Sequence, residues 1–290
     1  MFLALKEIKD AKLRYVLLTA IIGLIAFVIF MIAGLAGGLS NGHKQAVEDW
    51  QASAIVLNKN ANKIATASSL ASGLDENVTG QDTAPVGIYS GAVTFKDQKE
   101  NISFFGTRKD AFVVPELTSG RTFNNDYEII ISQNMADKLK LKIDDKVQVG
   151  NLTHKLKVVG IFKKTQYAIQ PVAYTNIPTF TALKYGTAAT AQPTSAQLVN
   201  LIAVKGTPLA KIKLTQDAKN PLTKMSVNDF VLNLPGVQAE SISLNAMVYI
   251  LIVISAAVIA IFMYVLTLQK QNLFGILKAQ GIPVKTIVNS

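Results

Sequence analysis

Residues 247–268, with the sequence MVYILIVISAAVIAIFMYVLTL, form a run of 22 residues without a single charge. A helix rises about 1.5 Å per residue, so this run would reach roughly 33 Å, more than the hydrocarbon thickness of about 30 Å. Because a helix satisfies its own backbone polar groups in lipid, the run predicts a membrane-crossing helix. A second apolar run, residues 15–39, lies near the other end of the chain. We therefore expect a membrane protein with two α-helical spans.

The first apolar run has two alternative interpretations. It contains many small residues after Ala33, as a signal peptide does. A signal-peptide core is typically about 7–15 residues long, and this run is longer, so we expect a retained span. Gly34 and Gly38 have the G-x-x-x-G spacing that lets helix backbones approach closely, which makes them candidate helix-packing residues. A glycine-rich helix end explains this pattern nearly as well.

The distribution of charge predicts the orientation of the spans. Residues 1–14 contain four Lys or Arg and two acidic residues, and residues 269–290 contain three Lys and no acid. Cytoplasmic flanks are enriched in Lys and Arg, so both termini are predicted to be cytoplasmic. Residues 1–14 would lie along the membrane surface as an amphipathic segment, or form a charged flank without regular structure. The predicted segments are 1–14, 15–39 (first span), 40–245 (extracytoplasmic domain), 246–268 (second span) and 269–290.

The composition argues against several function classes. Residues 40–245 carry 22 Lys or Arg and 17 Asp or Glu, spread thinly, whereas nucleic-acid binding usually needs a clustered basic face. The absence of cysteine excludes disulfides, thiolate metal sites and cysteine nucleophiles. The sequence has no His-Glu-x-x-His pair, no G-x-S-x-G elbow and no phosphate-cradling G-x-x-x-x-G-K-[ST] loop. We expect a non-catalytic protein that does not bind nucleic acid.

Residues 40–245 have the pattern of an α+β domain. Strands are predicted at residues 54–57, 86–95, 102–106, 127–131, 146–149, 156–162 and 201–205. Ser132 is predicted to cap a helix over residues 133–141, and a second helix is expected at 227–234. Apolar and polar residues alternate on both sides of Gly150 and Asn151, which predicts a hairpin. Residues 187–197 are small and polar, and we expect them to form a flexible loop.

A series of short stretches occurs in a definite order along the chain. They are LALKEIK (3–9), KLRY (12–15), Trp50, IVL (55–57), KNAN (59–62), PEL (115–117), GR (120–121), IS (131–132), VVGI (158–161), LPG (234–236), QA (238–239) and GILKAQG (275–281). Their order and the span–domain–span layout resemble the permease subunits of the MacB/FtsX class of ABC transporters, most closely the haem-exporter (HrtB-type) branch. The resemblance covers nearly the whole chain. It implies a large MacB-like periplasmic-core-type domain and a multi-pass protein of the bacterial plasma membrane.

One feature departs from the pattern of that class. Such permeases normally continue with two further spans, whereas this chain stops at Ser290, within the segment that is similar to their coupling region. We expect the sequence to be incomplete. The alternative is a protein that works with fewer helices.

The resemblance implies specific partners. Since the chain has no ATP-binding loop, energy would come from a separate ATPase, in a complex of two permease copies and two ATPases. The segment 269–290 would receive the motion of that ATPase, with candidate contact residues Phe274, Ile276, Leu277, Lys278 and Gln280. The second span would pass this motion to the large domain as a shift of a rigid helix. Alternatively, this segment is an amphipathic helix lying on membrane lipid.

The resemblance also suggests a substrate. Haem is the first candidate for export, with peptides or antibiotics next, and no cofactor is expected to be bound by the chain itself. Haem iron takes His, Met, Cys or Tyr ligands. The candidate haem contacts are His43 and Glu48, just beyond the first span, and Tyr167 and Tyr174 further along.

Two other functions fit the same layout. An FtsX-like transducer would use ATP hydrolysis inside the cell to move the large domain and regulate an extracellular partner, without transport. A membrane-tethered binding module would need no ATPase contact at all.

Overall fold

The computed structural model describes residues 12–215 and 221–281, and the predicted amphipathic segment 1–14 lies mostly outside these described residues. The chain divides into two compact units. One consists of Met1–Gly37 together with Glu240–Ser290, and the other is Gly38–Ala239, which we call the large domain. Each unit is described by itself.

Two long helices carry the apolar runs. Helix α1 is Lys12–Asp49 and helix α5 is Val237–Ala279. The stretches that are long and apolar enough to cross a membrane are Tyr15–Asp49 and Val237–Gln269, and they include the predicted spans. Their large apolar side chains are not packed in a core: the side chain of Phe30 is 75% exposed and that of Val253 is 68% exposed. Such all-round apolar exposure fits a helix whose solvent is lipid.

Within its described residues, the large domain is built on a mixed sheet of eleven strands. Along the main path the strand order is β13-β1-β12-β3-β4-β10-β6-β8-β5, with β7 paired to β3 and β8, and β9 paired to β10. The strands are β1 Ala54–Asn58, β3 Asp82–Phe95, β4 Gln98–Thr107, β5 Leu117–Gly120, β6 Glu128–Ser132, β7 Lys146–Val149, β8 Leu156–Phe162, β9 Gln166–Tyr167, β10 Gln170–Asn176, β12 Leu201–Lys205 and β13 Leu222–Met225. Strands β2 (Leu70–Ala71) and β11 (Leu198–Val199) form a separate pair.

In the part of the large domain that the structure describes, the α-helices that lie wholly within it are α2 Gln133–Leu139, α3 Ile177–Tyr185 and α4 Val227–Leu232. Helix α3 lies where its Phe180 side chain meets Gly87 and Gly106, which face each other on β3 and β4. A Cβ atom on either glycine would overlap the Phe180 ring. The glycine pair therefore makes the space in which α3 docks on the sheet.

The sheet is buried on both faces. Along β6, Ile129 and Ile131 belong to one hydrophobic cluster and Ile130 belongs to another. Along β1, Ile55 and Leu57 lie in the same cluster as Ile130, while the alternate residues lie in a third cluster. Strands covered on both faces have near-continuous apolar sequences, which is why the apolar residues 129–131 predict a strand.

The structure confirms most of the predicted elements. All seven predicted strands are present, and so is the antiparallel pairing of β7 with β8 around Gly150. The helices predicted after Ser132 and from Val227 are α2 and α4. Residues 187–197, predicted as a flexible loop, instead contain two short 3-10 turns, Thr187–Ala191 and Thr194–Ala196, and the side chain of Gln197 is buried. Ser132 is the N-cap residue of α2, as predicted, but its side chain makes no capping hydrogen bond. Its hydroxyl instead accepts a hydrogen bond from the Val172 amide of β10 at 3.1 Å.

An ion pair fixes the loop before β6. The Arg121 guanidinium makes a two-pronged contact with the Glu128 carboxylate, with 2.8 Å between Nη1 and Oε2. The backbone amides of Asn124 and Asn125 donate to the same carboxylate, at 2.9 and 3.2 Å. The Arg121 bond, followed by these amides, holds the pKa of Glu128 well below its ordinary 4.5.

We expect the Glu128→Gln substitution to lower the free energy of unfolding by about 2 kcal/mol at neutral pH, because a charge-assisted hydrogen bond is lost. The folded-state pKa is depressed, so the stabilisation is complete above pH 4.5 and is lost as the pH falls below it. The difference in denaturation midpoint between wild type and E128Q should therefore shrink from neutral pH to about pH 3. A difference that stays constant over this range would contradict the proposed role of the ion pair.

Candidate functional site

The end of helix α1 is part of the core of the large domain. We call residues 42–50 the helix foot. Ala46 and Val47 are fully buried there, and Trp50, the single tryptophan of the chain, is 1% exposed. The helix thus continues beyond its apolar run and inserts its last turns into the domain.

Trp50 belongs to a group of five aromatic side chains. Its indole Nε1–H donates to the Tyr174 hydroxyl at 2.8 Å, and its ring packs edge-on against Phe105 with 5.2 Å between centroids. Phe105 also makes edge contacts with Tyr167 and Tyr174, and Tyr174 with Phe162. We call Trp50, Phe105, Phe162, Tyr167 and Tyr174 the aromatic cluster. Edge-to-face geometry and the satisfied indole N–H make this a rigid attachment for the helix foot.

Burial changes the acidity of the two tyrosines. Desolvation raises the pKa of Tyr167 and of Tyr174 well above the ordinary 10, and in Tyr174 the hydrogen bond from Trp50 opposes this rise. Both phenols are therefore neutral at any physiological pH. A neutral phenol is a good acceptor for the indole N–H, and a poorer iron ligand than a phenolate.

Polar contacts reinforce the attachment. The Asp49 carboxylate, at the last residue of α1, accepts from Lys163 Nζ at 2.7 Å and from Thr165 Oγ1 at 2.8 Å. Gln45 donates from its side chain to the Lys164 carbonyl at 3.3 Å. The segment between β8 and β9 is thus held to the helix foot along three consecutive residues.

The start of helix α5 lies in the same core. Phe230 and Val231 of α4, followed by Leu234 and Val237, belong to the hydrophobic cluster that contains Trp50. Val237 is the first residue of α5 and is 4% exposed. The end of one long apolar helix and the beginning of the other are therefore anchored in one close-packed core, which transmits displacement because it resists compression.

A groove of about 520 Å³ opens beside the helix foot. One wall is apolar and includes Phe112, Val113 and Pro115. Lys163 and Lys205 also line it, together with the carboxylates of Asp49 and Glu116. Lys163 is paired with Asp49 at 2.7 Å, and the Lys205 ammonium lies 5.6 Å from the Phe112 ring centroid. The groove therefore combines an apolar wall with charges of both signs, an arrangement that suits an amphiphilic molecule.

The four candidate haem contacts lie in two places. Tyr167 and Tyr174 are members of the aromatic cluster and are 5% and 2% exposed, so haem ligation by either would require the cluster to open. His43 and Glu48 lie on the helix foot. His43 is 7% exposed, whereas Glu48 is at the surface and pairs with Lys44 at 2.7 Å. Haem contact by these residues stays a prediction.

The other predicted residues lie on the long helices. An added Cβ on Gly34 or Gly38 would meet no atom within 4 Å in the described part of the chain, so their packing role stays a prediction about another helix. Ile276 is 57% exposed on α5, and Gln280, just after the end of α5, is also exposed. The side chains of Phe274, Leu277 and Lys278 lie outside those that the structure describes. Within residues 12–215 and 221–281, no group of three His, Cys, Asp or Glu side chains could hold a metal ion.

Comparison with known proteins identifies the family. A family model described as the MacB-like periplasmic core domain matches residues 16–218. The chain is 28% identical to a Staphylococcus epidermidis protein named "Putative hemin transport system permease protein HrtB", over 100% of this chain and 79% of that protein. It is 20% identical to an uncharacterized ABC transporter permease of Mycobacterium tuberculosis, over 99% of this chain and 78% of that protein.

Among solved structures, the extracellular domain of the noncanonic ABC-type transporter YknZ from Gram-positive bacteria matches with a TM-score of 0.40 and 16% identity, over 54% of this chain and 84% of that one. The family match covers more than half of the chain, including the helix foot and the aromatic cluster. The chain therefore belongs to the MacB-like periplasmic core domain family, as a membrane protein similar to the HrtB-type permeases of ABC transporters.

Proposed function

We propose that the chain is the permease subunit of an ABC transporter that exports haem or another amphiphile with a separate ATPase. The observation that carries this proposal is the anchoring of both long helices in one core of the large domain. A subunit that converts an ATPase stroke into movement of an extracytoplasmic domain needs such a connection. The alignment with the hemin permease relative, over the whole chain, supports the same function.

In the proposed mechanism both termini are cytoplasmic and the large domain is extracytoplasmic. The ATPase displaces the cytoplasmic end of α5, where Ile276 and Gln280 are exposed. Because α5 is one unbroken helix, the displacement reaches Val237 and the core around it. The core then moves the helix foot and changes the space available to the substrate. Two copies of the permease and two ATPases would form the transporter.

The substrate class follows from the groove and from the relatives. The apolar wall of the groove, with Lys205 beside Phe112, would accept the apolar body and one carboxylate of an amphiphile, and haem has both. Glu48 and His43 on the same helix foot are the candidates for contact with it. The printed name of the staphylococcal relative refers to hemin transport.

Transport is tested in proteoliposomes that contain the natural protein with its cognate ATPase and haem as the probe. We expect the removal of haem to depend on ATP. In a separate binding measurement, we expect Ile276→Asp to weaken the affinity for the ATPase about tenfold, which corresponds to about 1.4 kcal/mol. Asn151→Asp, at an exposed turn of the large domain, is the matched control and should bind the ATPase normally. Haem movement that does not depend on ATP would contradict the proposal that the protein exports haem. Normal ATPase binding by I276D would remove the contact assignment.

The same core favours a second candidate, an FtsX-like transducer. Such a protein needs the connection between both helices and the large domain, but it needs no pathway for a solute. It predicts capture of a cell-wall hydrolase by the large domain and no ATP-dependent movement of haem. The proteoliposome assay therefore separates the two candidates.

A further inference from the structure

The turn between β9 and β10 has an unusual sequence for its shape. Tyr167 pairs with Gln170, so the loop has two residues, Ala168 and Ile169. Both have left-handed backbone conformations, with φ of 50° and 65°. Two-residue hairpin turns with positive φ at both positions strongly prefer Asn-Gly, because a side chain is strained there. For a β-branched residue such as isoleucine this conformation is a genuine outlier.

Ile169 is also exposed. Its side chain is 45% accessible although it is one of the most apolar residue types. Ile169 thus departs both from the residue types preferred in such a turn and from the usual burial of isoleucine side chains. Positions that break local sequence rules are often functional ones.

Backbone hydrogen bonds hold the turn against helix α1. The Ile169 amide donates to the Gly42 carbonyl at 2.9 Å, and the Ala168 amide donates to the His43 carbonyl at 3.2 Å. An added Cβ on Gly42 would lie 3.6 Å from Ile169 Cγ1 and 3.2 Å from Gln166 Oε1, so the glycine permits this close approach. The position of the turn along α1 is therefore well defined.

That position is close to the end of the apolar run. Gly42 and His43 follow Leu39 by three and four residues in an unbroken helix, which is about 5–6 Å at 1.5 Å per residue. The headgroup layer on each side of a bilayer is about 5–7 Å thick, from a total of about 40–45 Å around a core of about 30 Å. If residues 15–39 cross the membrane, the turn lies at the level of the lipid headgroups.

A cation lies beside the turn. Lys99 on β4 lines an open recess of about 550 Å³ together with Asn101, Ala168, Ile169 and Gln170. Lys99 is exposed and makes no ion pair in the described part of the chain, whereas its neighbour Glu100, which also lines the recess, is paired with Lys138 at 2.6 Å. An apolar tip next to a free ammonium is the arrangement with which peripheral segments bind a phospholipid surface.

We propose that the Ala168–Ile169 turn is a lipid contact of the large domain. Ile169 inserts into the interface of the outer leaflet, and Lys99 faces a phospholipid phosphate. The contact fixes the height of the turn, and through it the height of the helix foot, relative to the bilayer. This proposal rests on the extracytoplasmic orientation of the large domain stated under Proposed function.

The absence of cysteine allows a direct test in the full-length natural protein. Single cysteines are introduced as Ile169→Cys and, as a matched control on another exposed hairpin turn, Asn151→Cys. Each is labelled with an environment-sensitive fluorophore and reconstituted into phosphatidylglycerol-containing nanodiscs, with or without spin-labelled lipid. We expect a blue-shifted emission and several-fold stronger quenching by spin-labelled lipid at position 169 than at position 151.

The orientation is measured separately, with a membrane-impermeant maleimide added to intact cells. If Asn151→Cys is not labelled from outside, the proposed orientation of the large domain is wrong. If it is labelled, but the probe at 169 is quenched by aqueous iodide and not by spin-labelled lipid, the orientation stands and the lipid contact is refuted. A probe at 169 shielded from both quenchers would place the turn against a second protein copy, which also refutes the lipid contact.

A second variant removes the apolar tip without harming the turn. Ile169→Gly relieves the strain at φ 65° and should raise the melting temperature of the large domain in detergent. In nanodiscs of increasing phosphatidylglycerol content, the melting temperature of the wild type should rise. The double variant with I169G and Lys99→Glu should show only a small part of that rise. An equal gain in both proteins would overturn the proposal.

Discussion

The Trp50→Ala variant is expected to lower the free energy of unfolding of the large domain by about 3–5 kcal/mol, the usual cost of truncating a fully buried aromatic residue to alanine. At about 2–4 °C per kcal/mol for a domain of 150–250 residues, its melting temperature should fall by about 10 °C. Since Trp50 is the single tryptophan, the melting of this variant is followed by circular dichroism or by a dye. The same truncation detaches the helix foot from the aromatic cluster, so ATP-dependent transport should fall as well.

Two controls separate loss of stability from loss of the connection. Phe104→Ala removes a ring that is equally buried, but in a different hydrophobic cluster. It should destabilise by a similar amount and leave transport largely intact at temperatures where both variants are folded. If Trp50→Ala and Phe104→Ala impair transport equally, the helix foot has no special part in coupling.

The hydrogen bond to Tyr174 can be measured on its own. Trp50→Phe and Tyr174→Phe each remove one partner, and the double variant removes both. Because a single change leaves a buried polar group unsatisfied, we expect the double variant to lose less than the sum of the single losses, by about 1 kcal/mol. Additive losses would mean that the 2.8 Å contact contributes little.

The second large effect is expected at Asn200, whose side chain is fully buried and makes four hydrogen bonds. Its Oδ1 accepts from the Ile88 amide at 2.7 Å and from Lys184 Nζ at 2.9 Å. Its Nδ2 donates to the carbonyls of Ala65 and Ser68, at 2.9 and 3.1 Å. One side chain thus connects β3, helix α3 and the segment after β1.

Asn200→Leu keeps the approximate volume and leaves these groups unpaired. Each buried polar group without a partner costs about 1–3 kcal/mol, so we expect a total loss of about 4 kcal/mol or complete failure to fold. The tryptophan fluorescence of Trp50 reports the urea transition of this variant. Asn151→Leu, at the exposed turn, should change stability by no more than about 0.5 kcal/mol. A small effect at Asn200 would show that water replaces its four bonds.

Lys184, which donates to Asn200, has a lowered pKa. Partial burial lowers the pKa of Lys184 to about 8, and the ammonium lies between the Phe180 and Tyr185 rings, 5.5 and 5.2 Å from their centroids. Charging this lysine therefore costs more in the folded than in the unfolded state. The large domain should lose some stability as the pH falls below the ordinary lysine pKa of 10.5 towards 8, and no more below that.

Much of the fold could be predicted from the sequence because its signals are local. The apolar runs predicted the long helices, and the uninterrupted apolar strands predicted the sheet, since residues such as Ile129, Ile130 and Ile131 fill cores on both faces. The β7–β8 hairpin could be predicted because alternation and a Gly-Asn turn stand next to each other in the sequence. These signals need no knowledge of distant partners.

The parts that could not be predicted depend on distant partners. Strand β10 runs parallel to β4 and antiparallel to β6 in the middle of the sheet, yet it contains Pro171 and polar residues, and its sequence predicts no strand. Tyr174 lies in the core because Trp50, 124 positions earlier, donates to it. The polar composition of residues 40–49 likewise hid the continuation of α1 into the domain, where the buried apolar side chains are Ala46 and Val47 and are separated from the apolar run.

The order of strands in the sheet also determines when, during synthesis, the sheet of the large domain is able to fold. Strand β1 is made first, but Ala54 pairs with Val204 and Ile55 pairs with Met225, which are synthesised some 150 residues later. Pairing over such separations is slow because a long loop must be closed before any contact forms. Until then both edges of β1 are open to other strands, a common cause of aggregation. Biogenesis of this protein should therefore depend on a holding chaperone during export, and deletion of β13 alone should leave the first strand as the aggregation-prone element.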